Sequence, residues 1–560
     1  MQFNKTGFLA LLLTTVLVPA NAHAQSAQQR LPGVIDRGTP DLEVPKSHDL
    51  NTPMRDPLKE EPTIQNARDN QVVANVSKIN FDGPSSVSQS DLQAIAASYV
   101  NRPLTKADVA KLKFEVTKLY YDKGYILVKI TTPPQNLADK TLDVKIYEAK
   151  IGDIKVNNED VLNPFLTRQV AGQVEKGDVF NEVSVESMVS DLDSLKGVQA
   201  NLGLRPGSAF GTTDLVLNMK PIDEDENYVQ VDNYGAELTG TNIATIHLEK
   251  SNLLHWGESV NATLRRSNED LVSVNAGLRT PIGFRNFMFE IDGTNSKNEI
   301  GDRLAALDAS GTTRAVNVAI ADDVLNTRTQ KSTLRVGLDS RTHESKAVTG
   351  PTDDEIRQGY VSGSYLRRMT DGVAYASAKL GRGVDGLGAS EDGSTKVSRI
   401  QGHQDAWKFE PVIIAQYRPI QDGTIKFLGT GQLSSDALLS SDLFALGGYG
   451  SVRGFEPAQE TGDAGYQFSL EYNQDFDLTD GWTLRTGPFV DGGAVYNRLP
   501  GASVDNHLYS VGIGAEVAAR LFGGNAAETK LRADWALPVG DYTSNQVDAS
   551  TIYVRLTQGF

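Results

Sequence analysis

The chain has 560 residues, too many for one ordinary domain, and a formal net charge of −17 at pH 7. That charge argues against nucleic acid or an anionic membrane surface as partner, and the absence of cysteine excludes disulfides, thiolate metal sites and a lipoprotein anchor. A mean hydropathy of −0.32 excludes little, because strands around a wet lumen are half polar.

The N-terminus reads as an export signal. Lys5 supplies a positive region, Phe8 to Val18 an apolar run, and Ala22-His23-Ala24 a small-x-small cleavage site, which makes residues 1–24 the expected signal peptide. The run is too short to span a bilayer, and no later stretch of about 18 apolar residues offers a spanning helix. Residues 25–73 follow as a linker, broken by Pro32, Pro40, Pro45, Pro53, Pro57 and Pro62. Ser26 to Leu31 is the one stretch of it that a short helix fits.

Two units come next, each written strand, helix, helix, strand, strand. In the first, 74–149, a strand at Val76 to Gly83 leads to a helix at Ser90 to Ser98 capped by Ser88 or Ser90. A second helix, Lys106 to Lys123, is stopped by Gly124, and strands at Tyr125 to Thr131 and Leu142 to Ala149 close the unit. The second unit, 150–222, repeats the plan with a strand at Ile151 to Asn157, helices at Val161 to Ala171 and Val183 to Leu195, and strands at Val198 to Leu204 and Asp214 to Lys220. This order resembles tandem POTRA domains, the periplasmic modules of outer-membrane barrels, and Leu204-Arg205-Pro206-Gly207 looks like the matching turn of secretion transporters.

From Asn227 to Phe560 sixteen segments alternate in polarity. Tyr466, Phe468, Leu470 and Tyr472 alternate with Gln467, Ser469, Glu471 and Asn473; Leu531, Ala533, Trp535 and Leu537 alternate with Lys530, Arg532 and Asp534. Long connections are expected near 298–312, 341–357, 383–405 and 434–464, with short turns between them, the asymmetry of a transmembrane barrel. A sheet edge in lipid would leave backbone groups unpaired, so the sheet must close. The last strand, Thr551 to Phe560, places Ile552, Val554, Leu556 and Phe560 on one face and Tyr553, Arg555 and Thr557 on the other. Bacterial outer-membrane proteins characteristically end in such a strand, so Phe560 is expected to be the barrel-insertion signal.

Two short motifs carry the chemistry, and it is electrostatic. Val452-Arg453-Gly454-Phe455 lies in the longest expected loop. Phe489, Asp491 and Gly493 share the lumen parity of a strand beginning near Trp482. An Arg on an inward-folded loop can meet Asp491 as a bidentate pair, with Gly454 allowing a tight turn beside it. No Gly-x-Ser-x-Gly elbow occurs, and the seven histidines lack metal-ligand spacing, so no catalytic residue, metal or cofactor is expected.

Together the Val-Arg-Gly-Phe and Phe-x-Asp-x-Gly motifs resemble the superfamily of the assembly factor BamA and the two-partner secretion transporters (TpsB). Two POTRA units, sixteen strands, a preceding linker and Asp232 to Gly240, which looks like that family's first barrel strand, point to the TpsB branch. The resemblance implies a transmembrane antiparallel β-barrel of about sixteen strands behind two periplasmic α+β POTRA domains. It implies an outer-membrane pore exporting a large partner exoprotein (an adhesin, haemolysin or contact-dependent toxin), whose N-terminal secretion domain the POTRA units catch. Outer-membrane lipids and the barrel assembly machinery are the other implied partners, and a monomer is expected. The loop motif and the strand motif would form a loop–barrel lock. The alternative is an assembly factor of BamA or TamA type, which usually carries more POTRA units.

Overall fold

The structure, a computed structural model, describes residues 70–560 except 84–85, 270, 284–286, 302–308, 348–349, 480, 500–505, 522–527 and 541–549. The expected signal peptide and the short helix that fits Ser26 to Leu31 lie outside the described residues.

In the first unit, β1 (Val72–Val76), β2 (Lys78–Asp82), β3 (Arg102–Thr105), β4 (Val128–Thr131) and β5 (Thr141–Glu148) surround α1 (Gln89–Ala96) and α2 (Lys106–Asp122). Strand β5 sits at the centre, parallel to β2 and antiparallel to β4. Ser88, not Ser90, caps α1 by accepting from the Asp91 amide. Leu92, Leu112, Val116, Tyr120 and Val144 are fully buried between helices and sheet. The strand expected from Val76 to Gly83 is β2; ahead of it lies an additional strand, β1, which ends at Val76 and pairs with β3. Five residues of weak alternation gave no separate signal.

Helix α2 opens on a capping box. The Thr105 amide and hydroxyl donate to the Asp108 carboxylate at 2.8 and 2.7 Å, and the Asp108 amide donates back at 3.1 Å. The Arg102 guanidinium, 2.7 Å from Asp108, holds its carboxyl down at about 2, with the Thr105 bonds assisting against partial burial. The folded value lies below the ordinary 3.8, so this contribution is complete above about pH 4 and drains as pH falls toward 2. Asp108→Asn should therefore cost α2 about 1 kcal/mol at neutral pH and flatten that acid loss. Hydrogen exchange across 106–122 in the full chain measures both; unchanged exchange would discount the cap.

The second unit repeats the plan with β6 (Lys150–Asn157), α3 (Pro164–Ala171), α4 (Glu182–Asp193), β7 (Val198–Pro206) and β8 (Thr212–Pro221), in sheet order β6-β8-β7. Helix α3 begins at Pro164 rather than near Val161, because Asn163 caps it and proline suits the first turn. This unit docks on the barrel. Asn326 donates to Asp191 at 2.9 Å, the Arg328 amide to Glu186 at 3.0 Å, and the Asn163 amide to the His255 carbonyl at 2.6 Å. Met288 and Ala321 of the barrel join the unit's own core.

The barrel begins with β9 (Tyr228–Asp232), β10 (Ile243–Ser251), β11 (Ser259–Ser267), β12 (Val272–Pro281), β13 (Phe287–Glu299), β14 (Ser310–Asn326), β15 (Gln330–Ala347), β16 (Gly350–Met369), β17 (Gly372–Gly383), β18 (Trp407–Ile420) and β19 (Gly423–Ser434). A small hairpin, β20 (Phe444–Leu446) with β21 (Glu460–Gly462), stands apart. Then β22 (Ala464–Thr479), β23 (Trp482–Tyr496), β24 (Asn506–Ala519), β25 (Thr529–Pro538) and β26 (Thr551–Gly559) complete sixteen antiparallel strands, closed by β26 on β9. No described helix is long and apolar enough to cross a membrane; strands do the crossing. Outward residues are apolar and exposed: on β26, Ile552, Val554 and Leu556 lie at 43, 41 and 46 % while Tyr553 is buried.

Two expectations fail here. The polar stretch 341–357 is no long loop: β15 and β16 stay paired as far as Ala347 and Gly350. One face of this hairpin is covered: His343, Asp354 and Gln358 are buried, and Asp354 accepts from the Ser398 and Ser441 hydroxyls, so polar sequence there marks buried hydrogen bonds on paired strands, not irregular backbone. Nor is Asp232 to Gly240 the first strand. That strand, β9, ends at Asp232, and the next residues turn toward the lumen. Asn233 compensates at the closure, since its side-chain amide donates to the Ile552 carbonyl at 2.9 Å and accepts from the Val554 amide at 2.7 Å. One side chain thus stands in for a missing peptide unit of the ladder.

Candidate functional site

Residues 435–463, between β19 and β22, fold into the lumen and reach the wall made by β22 to β26. Arg453 lies at the tip and is 5 % exposed; Asp491 on β23 is fully buried. Arg453 Nε donates to Asp491 Oδ2 at 2.7 Å and Nη2 to Oδ1 at 2.9 Å, a bidentate fork reinforced by the Arg453 amide at 3.2 Å. Its Nη1 reaches Glu471 on β22 and Asp534 on β25, both at 3.2 Å. Ser469, cross-strand from Asp491, donates to Asp491 at 2.7 Å. The guanidinium also lies over the Phe489 ring, 3.3 Å from its centroid.

Local sequence makes this contact fit. Gly454 adopts φ +94°, and its amide donates to the Tyr553 hydroxyl of β26 at 2.9 Å. Val452 and Phe455 pack with Leu446, Val495 and Leu508, an apolar plug beside the ion cluster. Gly493 makes room for that plug, because a Cβ there would stand 2.5 Å from Leu446 Cδ1. Phe560 is elsewhere: its amide donates to the Asn227 carbonyl at 3.0 Å and its side chain is 60 % exposed on the outward face.

The sequence named two members of a larger network. Arg532 bonds Asp534 at 2.8 Å and Glu471 at 2.9 Å, so two guanidiniums share three carboxylates. Tyr449 stacks on Tyr234 with centroids 3.7 Å apart, and Tyr553 meets both edge-on. Glu471 and Asp534 already stood at polar parity on the two cleanest strands. What parity does not reveal is strand order and register, which bring both within reach of Arg453 and Arg532 although β23 and β24 lie between their strands. Strand β24, between β23 and β25, presents Gly512 and Gly514 inward; a Cβ on these would meet Phe489 Cζ at 2.2 Å and Asp534 Oδ1 at 2.5 Å. Both ends of the loop are also held. Asp463 is bridged to Arg399 at 2.7 Å, and Asp442 to Lys408 at 2.6 Å and Arg341 at 3.1 Å. On the same rim, residues 384–406 bring His403 within 2.8 Å of Asp392, a grouping the scattered histidines do not announce.

Chemically the site can hold or release a loop; it is built of charge pairs, with no nucleophile–base pair among the residues at the loop tip. Residues 211–517 match the family model described as haemolysin secretion/activation protein ShlB/FhaC/HecB, and residues 74–149 match a POTRA domain of ShlB type. The outer membrane transporter CdiB of Dickeya dadantii is 25 % identical over 530 residues, 92 % of each chain. The heme/hemopexin transporter protein HuxB of Haemophilus influenzae is 22 % identical over 72 % of each. In fold, the chain is similar to the solved structure of CdiB from Escherichia coli, with a TM-score of 0.77 and 20 % identity, covering 90 % of this chain and 94 % of that one.

Proposed function

The chain belongs to the haemolysin secretion/activation family ShlB/FhaC/HecB, and from that premise we propose that it is the outer-membrane pore through which a large partner exoprotein leaves the periplasm in two-partner secretion. The observation that carries this reading is the closed sixteen-stranded barrel with residues 435–463 pinned across its inner wall by Arg453 and Asp491. Sixteen strands enclose a passage wide enough for a polypeptide, and the loop keeps it shut. The cargo arrives unfolded, and its N-terminal secretion domain is held by the two units at 74–149 and 150–222, whose strand edges can accept an extended segment. Arg453, Gly454, Val452 and Phe455 with Phe489, Asp491 and Gly493 act as the lock. Its release lets the cargo thread, and folding outside gives direction where no nucleotide is available. Phe560 acts earlier, as the signal read by the barrel assembly machinery. The protein works as a monomer in lipid, and transport involves no catalytic step.

Deleting the gene in its host should remove one large protein from the cell surface, leaving it in the periplasm, while other barrels assemble at normal levels. Normal surface proteins with depleted barrels would instead establish the assembly reading.

A further inference from the structure

Strands β10 and β11 are nine residues each, and their outward apolar residues are few: Ile246 and Leu248 on one, Val260 and Leu264 on the other, all 41–48 % exposed. A membrane strand tilted near 45° needs about 9–11 residues for the apolar band, so this sector is barely tall enough. The turn joining them, 252–258, continues the apolar surface on the periplasmic side. Leu253 and Leu254 are 64 and 69 % exposed, and the Trp256 ring lies 6.3 Å from that of Phe165, itself 46 % exposed at the start of α3. Arg168, one helical turn on from Phe165, is exposed beside it.

The turn is a built structure. Asn252 and His255 take φ of +52° and +59° and Gly257 +67°. Glu258, nearly fully buried, accepts from the amides of Leu254 and Trp256, the latter at 3.0 Å, and Asn252 accepts from the Gly257 amide at 2.9 Å. The second unit clamps it from the other side: Asn252 donates to the Val161 carbonyl at 2.8 Å and His255 accepts from the Asn163 amide at 2.6 Å. Two leucines are therefore held outward by a fixed backbone, where water alone would favour burying them.

We propose that Leu253, Leu254, Trp256 and Phe165 form a foot that enters the periplasmic leaflet of the outer membrane, with phospholipid as its occupant and Arg168 at the phosphate level. The argument for lipid is continuity, since the patch prolongs the outward apolar face of β10 and β11 at the place where that face is short. A Trp and a Phe at the edge, followed by a cation, is the order found at bilayer interfaces. The foot gives the second unit a purchase on the bilayer itself, in addition to its bonds with the barrel turns, and so sets its tilt beneath the pore.

The absence of cysteine makes the test a single-site one. Leu254→Cys in the full chain, carrying a polarity-sensitive fluorophore, would be placed in nanodiscs of phosphatidylethanolamine and phosphatidylglycerol. We expect emission shifted to the blue of a Phe210→Cys control, whose parent side chain is 95 % exposed on the β7–β8 turn. Lipids quenching at the headgroup or upper acyl chain should quench the Leu254 label at least twofold more than the control. A second protein, Trp407→Phe/Trp482→Phe/Trp535→Phe, leaves Trp256 as the sole tryptophan and reads the same depth without a bulky label. Water-like emission with quenching by aqueous iodide only, at both sites, would overturn the proposal. A blue shift seen in cells but absent from nanodiscs would overturn it too, assigning the patch to a periplasmic protein.

Discussion

Arg453→Ala should lower export of the partner protein about tenfold or more, with a folded barrel still present in the outer membrane, and Asp491→Ala should do the same. The reason lies in what each change leaves behind. With both partners present, desolvation offsets much of the attraction, and the pair adds little net stability. Removing Arg453 strands carboxylate charge in a buried site, and removing Asp491 takes the fork from Arg453 Nε and Nη2; either costs about 3–5 kcal/mol and shifts a docked loop toward release by two or more orders of magnitude. Without Arg453, Asp491 keeps the Ser469 hydroxyl as its side-chain partner, and Glu471 and Asp534 must share Arg532. The tip should then hang loose in the lumen, neither docked nor withdrawn as the ordered unit that clears the passage, and so obstruct the cargo. Arg453→Lys should rescue only part of the loss, because an ammonium cannot fork onto Asp491 while also reaching Glu471 and Asp534. Two measurements check this together: surface display of the partner, and cleavage of residues 435–463 by protease added outside the cell. Wild-type export by both alanine variants would end the lock.

The converse experiment holds the loop in place. An ideal Cβ on Gly454 stands 3.5 Å from Ala536 Cβ, at the near edge of the disulfide range of about 3.5–4.5 Å. In a chain without cysteine, Gly454→Cys with Ala536→Cys creates the only possible bridge. Oxidised, this variant should export nothing measurable; reduced, it should export again. Cysteine at φ +94° is strained, so the reduced double variant and Gly454→Ala are the references against which the oxidised protein is judged. Undiminished export through the oxidised barrel would mean that the tip stays put while cargo passes.

Barrel strands were legible in the sequence because lipid outside and water inside impose opposite parities on every strand. Where that contrast ends, legibility ends with it. Beyond the membrane band, at 341–357, a polar hairpin and a polar loop look the same, and only pairing separates them. The short β1 and β9 carry too few residues to alternate convincingly. At the site, Arg453 and Asp491 could be paired because one motif lay in a loop and the other at lumen parity. Glu471, Asp534 and Arg532 had the right parity too, but joining them requires knowing which strands are neighbours and in what register. Gly512 and Gly514 show the harder case: their contribution is space, and a glycine in a barrel strand has several other reasons to be there.

The sharing of three carboxylates by two guanidiniums bears on the electrical character of the open pore. When the loop withdraws it takes Arg453 with it, and Arg532 remains to face Glu471, Asp491 and Asp534 alone. The exposed wall becomes strongly acidic at the moment the passage clears. Small cations would then be drawn in and anions turned away, and basic stretches of a passing chain would meet weak attraction where acidic stretches meet repulsion. The residue that shuts the pore, by its departure, also sets the ion selectivity of the pore it opens.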